Sequence, residues 1–192
     1  MKHSNVHITE SELQGESFTN ERFSNCQFAG ANLRLSSFQN CTFSSCNFSE
    51  AIFDMTNFSE CVFIESKLSN LDFSETKINA CQFKQSKISN STFQMFKPAD
   101  KNIREKVDLI GCTFVECDLS DSVFIKCILK GVDFSGSVLK GVFFENCNLE
   151  EAKLGGATIE GARFDDCIIR NTELQFEGFV QFGTSKGFRL VI

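Results

Sequence analysis

The sequence predicts an all-β solenoid, in which a four-sided coil stacks its turns on one another. Three observations predict this fold: a large apolar residue recurs at every fifth position, a small residue lies two positions before it, and cysteines recur at every twentieth position. A period of five fits neither the α-helix nor a plain β-strand. The chain must therefore turn at regular intervals, and its 192 residues suffice for one domain.

The apolar series runs in two registers. Every fifth residue from Ile8 to Phe93 is apolar, which gives 18 consecutive positions, and a second series of 14 positions runs from Leu109 to Leu174. Phenylalanine fills more than half of these positions, whereas Trp and Tyr are absent. The step from Phe93 to Leu109 exceeds a multiple of five by one, so the register slips by one position. We expect one core of stacked apolar side chains, interrupted once.

The residue two positions before an apolar centre is nearly always small, as at Ala31 and Ser36. Alternate residues of an extended segment share a face, so the small residue and the centre point inward together, and the next two residues form a corner. All ten cysteines occupy this small position: Cys26, Cys41, Cys46, Cys61, Cys81, Cys112, Cys117, Cys127, Cys147 and Cys167. We interpret them as small buried hydrophobes, with disulfide or metal-binding roles as the alternatives.

Two stretches, ANLRLSSFQNCTFSSCNFSEAIF and CDLSDSVFIKCILKGVDF, resemble the A(D/N)LXX pattern of the pentapeptide-repeat family. The resemblance covers about residues 8–174 and implies a right-handed quadrilateral β-helix of about eight coils. We expect this domain to span residues 1–174, with a loop insertion at 94–108. Residues 175–192 would form a C-terminal capping and dimerisation segment.

The insertion is the first candidate for a functional site, because interruptions of a regular solenoid project from one face. Pro98 suits the first position of a helix over about 98–106. The predicted partner-binding loop contains Phe96, Lys97, Pro98, Lys101, Arg104 and Lys106. The alternative is a tolerated surface loop packed by Phe96 and Ile103.

The C-terminal tail abandons the repeat after Leu174. Phe176, Phe179 and Val180 follow helical spacing, Gly187 suits a helix C-cap, and FRLVI suits a final strand. A hairpin turning at GTSKG is the alternative. The tail resembles the C-terminal module of the quinolone-resistance (Qnr and MfpA-like) members of the family. That resemblance implies a homodimer through Phe176, Phe179, Val180, Phe182, Phe188, Leu190 and Ile192.

The net charge of −6 disfavours direct binding of nucleic acid or of an anionic membrane surface. No apolar stretch has the length of a signal peptide or a membrane span, so we expect a cytoplasmic protein. Lys130, Glu150 and Arg170 occupy every twentieth position and predict a ladder of ion pairs. An unbalanced acidic surface is predicted at Glu145, Glu150, Glu151, Asp165 and Asp166.

The resemblance to the quinolone-resistance members implies a mimic of duplex DNA. Such a protein engages gyrase or topoisomerase IV and protects the enzyme against quinolones or a natural gyrase poison. The alternative is a scaffold or effector that binds another protein. An enzyme is disfavoured, because the only histidines are His3 and His7 and the sequence has no phosphate-binding loop. We expect no metal, no cofactor and no small-molecule substrate.

Overall fold

The computed structural model describes residues 2–7, 13–94 and 106–191. Within these ranges the chain forms short strands and one C-terminal helix. They are β1 Lys2–Ser4, β2 Ser17–Thr19, β3 Arg22–Ser24, β4 Ser37–Gln39, β5 Thr42–Ser44, β6 Asn57–Ser59, β7 Val62–Ile64, β8 Lys77–Asn79, β9 Gln82–Lys84, β10 Thr92–Phe93, β11 Val107–Asp108, β12 Thr113–Val115, β13 Val123–Ile125, β14 Cys127–Ile128, β15 Phe143–Glu145, β16 Lys153–Leu154, β17 Arg163–Asp165, β18 Glu173–Leu174 and α1 Phe176–Ser185.

The strands pair in parallel at every twentieth position, so that Phe23 pairs with Phe43 and Phe43 with Phe63. Four groups of five therefore complete one turn, and the solenoid has about eight turns. Across the insertion the step between partners lengthens, and Phe83 pairs with Phe114. The predicted β-solenoid is confirmed. The regular coil also begins earlier than the sequence indicated, because His3 in β1 pairs with Phe23.

We name the four faces by their inward columns. The first face carries Phe23, Phe43, Phe63, Phe83 and Phe114; the second carries Phe28, Phe48, Leu68, Ile88 and Leu119; the third carries Phe53, Phe73, Phe93, Phe124 and Phe144; and the fourth carries Phe38, Phe58, Ile78, Leu109 and Leu129. The first face holds the sheet β1-β3-β5-β7-β9-β12, and the fourth holds β2-β4-β6-β8. The second face is joined by isolated parallel bridges, such as Lys87 with Asp118.

The core is a set of stacked phenylalanine rings. Phe28 and Phe48 have ring centroids 4.5 Å apart and planes 5° apart, and rings on adjacent faces meet edge to face. The stack crosses the insertion, since Phe83 and Phe114 lie 4.9 Å apart with planes at 1°. A flat ring matches the spacing of roughly 4.8 Å between paired strands. This match explains why the inward positions select phenylalanine.

The small inward residues satisfy buried backbone carbonyls. The Cys61 thiol donates to the Phe38 carbonyl at 3.3 Å, and the Thr56 hydroxyl donates to the Leu33 carbonyl at 2.6 Å. Each acceptor belongs to the inward centre of the preceding turn. A buried carbonyl without a partner is costly. Cysteine, serine and threonine therefore interchange at this position, because each combines small size with a donor.

The corners require a left-handed backbone conformation. Twenty-one non-glycine residues and eight glycines of the coil have positive φ, and asparagine is frequent among the former. Glycine adopts this conformation without a steric cost, and asparagine tolerates it better than most residues. The frequency of glycine, asparagine and other polar residues two positions after the inward centres follows from this requirement.

The insertion is shorter than the predicted span 94–108. Val107 and Asp108 form β11 and pair with Cys127 and Ile128. Val107 is buried, because it occupies the small inward position two residues before Leu109. The predicted helix over about 98–106 lies outside the described residues, apart from Lys106.

Helix α1 covers part of the C-terminal end of the solenoid, so the hairpin alternative is wrong. The Gln181 side chain accepts a hydrogen bond from the Ile159 backbone N–H at 2.8 Å, and Phe182 meets Phe164 edge to face. Gly178 allows close packing, because a Cβ there would lie 2.8 Å from Cγ of Leu174. The helix ends at Ser185 with Lys186 as its C-cap, and the next residue, Gly187, has a φ of +87°.

The backbone after the helix closes a Schellman motif. Gly187 N–H donates to the Thr184 carbonyl at 3.0 Å, and Phe188 N–H donates to the Gly183 carbonyl at 2.9 Å. The predicted role of Gly187 in ending the helix is confirmed, although the C-cap itself is Lys186 and Gly187 is the left-handed residue that follows it. The predicted final strand is not found, because residues 188–191 form no strand in the described chain.

Candidate functional site

Three surfaces carry the residues that the sequence singles out. In the predicted partner-binding loop, Phe96, Lys97, Pro98, Lys101 and Arg104 lie outside the described residues. Lys106 is described and exposed, and it immediately precedes β11 on the fourth face. The structure thus locates the return of the insertion beside the fourth face.

The predicted acidic surface lies on the turns after the insertion. Glu145 and Asp165 are paired in register on the third face. The carboxylate oxygens of Glu150 lie 3.3 Å from Nζ of Lys130 and 3.6 Å from a guanidinium nitrogen of Arg170. These two ion pairs confirm the predicted ladder. Lys130 also lies 3.8 Å from Glu151.

A second basic residue approaches the same surface. Arg163 is 3.0 Å from Asp165, and its guanidinium lies over the Phe143 ring at 4.2 Å from the ring centroid. Among the described residues, only Glu145 and Asp166 of the five acidic residues lack an ion pair with a basic side chain. The surface is therefore more nearly neutral than the sequence predicted, because long basic side chains reach it from neighbouring positions.

The predicted dimerisation residues form an exposed apolar surface at the C-terminal end. Phe176, Phe179, Phe188 and Leu190 are 52% to 74% exposed. Val180 and Phe182 are half-buried, and Ile192 lies outside the described residues. An apolar surface of this kind marks an interaction site in soluble proteins.

Sequence reasoning missed two residues of this end, Ile168 and Ile169, which are 50% and 60% exposed. Ile169 occupies an inward position of the repeat, but it belongs to the last turn and α1 does not bury it. The signal was present in the sequence, since any inward residue of a terminal turn lacks a neighbour on one side.

The ten cysteines are free thiols, and all but Cys167 are buried. Burial raises the pKa of Cys46 and Cys112 to about 11 and that of Cys117 to about 12. A thiol with a raised pKa is a poor nucleophile and a poor metal ligand at neutral pH. Within the described ranges, no group of three or more His, Cys, Asp or Glu side chains could hold a metal ion.

The buried polar side chains of the described chain are all serines and threonines. No helix in this part of the chain combines the length and the hydropathy needed to cross a membrane. The described interior is thus a packed apolar core.

The family model for the pentapeptide repeat region matches residues 36–105 and 104–174. Among solved structures, a trypsin-treated variant of QnrB1, described as a plasmid-mediated fluoroquinolone resistance protein, is 18% identical. The match covers 99% of this chain and 97% of that chain, with a TM-score of 0.54. No curated relative matches the chain by sequence.

Two further structures are similar at lower scores. Full-length QnrB1 is 20% identical over 96% of this chain and 99% of that chain, with a TM-score of 0.49. A pentapeptide repeat protein from the thylakoid lumen of Arabidopsis thaliana is 16% identical over 57% of this chain and 69% of that chain, with a TM-score of 0.47. At these identities the likeness concerns the fold.

Proposed function

Because the chain belongs to the pentapeptide-repeat family, we propose that it is a non-catalytic, DNA-mimicking protein that binds a type II topoisomerase. In this proposal it engages gyrase or topoisomerase IV in the cytoplasm and protects the enzyme against quinolones or a natural gyrase poison. It binds neither nucleic acid nor membrane directly, and it takes no cofactor or small-molecule substrate.

The observation that carries the proposal is the full-length likeness to QnrB1, a fluoroquinolone resistance protein, which includes the C-terminal segment as well as the coils. Charge gives further support. The turns from residue 106 to 174 carry 12 acidic and 7 basic residues, and an excess of negative charge on a rod suits a surface that normally receives DNA.

Homodimerisation is part of the proposal and is supported by the apolar surface at the C-terminal end. Phe176, Phe179, Phe188 and Leu190 are exposed in the single chain, and burying them against a second copy would remove a large apolar area from water. A Phe176→Glu variant should be monomeric in sedimentation analysis, while its far-UV circular dichroism stays unchanged. Lys67→Glu is the control, since Lys67 is an exposed residue of the second face, away from the C-terminal end.

The test of function is a supercoiling assay with gyrase, with and without ciprofloxacin. We expect the protein to restore supercoiling in the presence of the drug, and the monomeric Phe176→Glu variant to do so less effectively. If the wild-type protein neither rescues nor inhibits gyrase or topoisomerase IV over a wide concentration range, the topoisomerase proposal fails.

A second candidate function is a scaffold or effector that binds another protein. The ion pairs of Glu150, Glu151 and Asp165 favour it, because they neutralise much of the acidic surface that DNA mimicry would use. The same assay separates the two candidates, since a scaffold of this kind would leave gyrase unaffected.

A further inference from the structure

The parallel ladder of the fourth face is broken beside the insertion. The sheet β2-β4-β6-β8 ends at β8, and the next strand of this face, β11, pairs only with β14 in the turn that follows. The other three faces continue across the same level, through Gln82 with Thr113, Lys87 with Asp118 and Thr92 with Val123. The break is therefore confined to one face.

A change in corner geometry accompanies the break. After the insertion, the fourth face closes a hydrogen-bonded turn in which Cys112 N–H donates to the Leu109 carbonyl at 3.0 Å. The Asp108 carboxylate accepts the Ile110 N–H at 2.9 Å. Before the break, the corner after β6 is bonded to the next turn, because Glu60 N–H donates to the Asn79 carbonyl at 2.8 Å. Ala80 N–H occupies the same position in the corner after β8, and it makes no equivalent bond in the described chain.

The break opens a groove, which we call the fourth-face groove. Its rim is formed by Asn57, Ser59, Lys77, Asn79, Asp108 and Ile110. Its floor reaches inward residues: Thr76, Ile78 and Val107 are 9%, 6% and 8% exposed, whereas Phe58 and Leu129 on the same face are 2% and 0% exposed. The groove thus offers apolar surface that the intact ladder covers elsewhere.

Two cations border the fourth-face groove. Lys77 lies on its β8 side and Lys106 on its β11 side, and neither makes an ion pair with any described residue. Within the described part of the chain, Asp108 is the only acidic residue that lines the groove, and one of its oxygens already accepts the Ile110 N–H. Among the described residues, the lining of the groove therefore has two lysines against one aspartate, on a protein whose net charge is −6.

We propose that the fourth-face groove binds an acidic, partly apolar, extended segment of a protein partner. An apolar side chain of the segment packs against Ile78, Val107 and Ile110, and a neighbouring carboxylate lies between the ammonium groups of Lys77 and Lys106. This inference rests on the proposed function only in the assumption that the partner is a protein. It adds the chemistry of one contact with that partner.

The segment lies across the groove and does not insert between the turns. A Cβ placed on Gly111 would lie 3.8 Å from the Cα of Ala80, so the two turns touch at the corner beside the groove. The three continuous ladders hold the same two turns at the ordinary strand spacing. Recognition therefore depends on side chains, and charge complementarity selects an acidic segment.

The test uses the full chain with isotope-labelled isoleucine methyl groups and a terminally blocked peptide of alternating glutamate and leucine. We expect the methyl signals of Ile78 and Ile110 to shift on titration, while those of Ile52, on the third face, and Ile159 stay in place. Binding should weaken by about tenfold or more for the Lys77→Glu/Lys106→Glu variant, and likewise when glutamine replaces glutamate in the peptide. Lys84→Glu is the matched control, because Lys84 is exposed on the first face of the same turn.

Three results would overturn the proposal: no shift at millimolar peptide, equal binding of the glutamine peptide, or shifts confined to Ile52 and Ile159. A variant with residues 95–105 replaced by a glycine-serine linker of equal length tests whether the chain's own insertion occupies the groove. If the replacement alone moves the Ile78 and Ile110 signals and tightens peptide binding about tenfold, the insertion is the occupant and the proposal fails. Unchanged signals support it.

Binding and protection assays with gyrase distinguish failure of this inference from failure of the proposed function. If the peptide binds the groove but gyrase is neither bound nor protected, the topoisomerase function fails and the groove stands. If gyrase binds the Lys77→Glu/Lys106→Glu variant as tightly as the wild-type protein, the groove is not a contact with that partner, and the groove proposal fails while the topoisomerase function stands.

Discussion

The turns before and after the insertion build the same coil with different side chains. Before it, twelve of the inward centres are phenylalanine, and Phe43 alone meets six other rings. After it, leucine, valine and alanine fill much of the interior, and Phe144 meets three rings. Coil geometry therefore demands inward volume and not one particular residue type.

The corners and surfaces of the two parts differ as well. Only Gly15 and Gly30 provide glycine corners before the insertion, whereas six glycines do so from Gly111 to Gly161. Ion pairs between side chains also concentrate after the insertion, around Glu150 and at Lys140 with Glu160. The first part thus relies more on ring stacking, whereas the second combines an aliphatic core with glycine corners and ion pairs.

Substitution of Phe43 and Phe144 by alanine tests the largest difference. Each should lower the free energy of unfolding by about 3 to 5 kcal/mol through the cavity that it leaves. Phe43→Ala should cost more, because each aromatic pair adds about 0.5 to 1.5 kcal/mol beyond its buried area. Urea unfolding followed by circular dichroism measures both. Equal losses would show that ring contacts do not distinguish the two parts.

Replacing Gly161 tests whether the later corners depend on glycine. Its φ is +69°, and an added Cβ would meet nothing closer than 3.8 Å, so the cost is purely one of backbone conformation. Gly161→Ala should destabilise the protein by about 1 to 2 kcal/mol, and Gly161→Asn should cost less. Thermal unfolding of the two variants provides the measurement, and an alanine variant as stable as the wild type would refute the argument.

Glu150→Gln should have the smallest effect. Its side chain bridges Lys130 and Arg170, and partly exposed ion pairs contribute about 1 kcal/mol or less. The loss should shrink in high salt, because screening weakens the wild-type pairs. Glu160→Gln is the control, since Glu160 contacts a single lysine and is more exposed. A loss that is insensitive to salt would assign Glu150 a role other than charge pairing.

Much of the fold could be predicted from the period of five, because one periodicity determines which side chains point inward, where corners form and which residues stack from turn to turn. The period of five was defined by apolar residues and therefore missed His3. The imidazole ring of His3 stacks on Phe23 as a phenyl ring would. The period also placed Val107 in the insertion, because the shift of register between Phe93 and Leu109 obscured the small inward position that Val107 occupies. A period of five carries no signal for the change in corner geometry.

The candidate site was harder to predict for a related reason. Sequence spacing identified the column of Lys130, Glu150 and Arg170, but it could not show that Arg163 reaches Asp165 within one strand. It found the apolar tail but not Ile169, because the exposure of an inward residue depends on what covers the last turn. Contacts between equivalent positions of the repeat can be predicted from the sequence. Contacts within one strand or at the end of the solenoid can be determined only from the structure.

The bonds from small inward residues to carbonyls of the preceding turn have a direction along the chain. The Cys61 donor follows its Phe38 acceptor in the sequence, and the Cys147 donor follows Phe124 by the same interval. A nascent chain leaving the ribosome would therefore find each acceptor already made and in place when the next donor emerges. The rod can grow by accretion from its N-terminus, with each completed turn serving as the template for the one that follows.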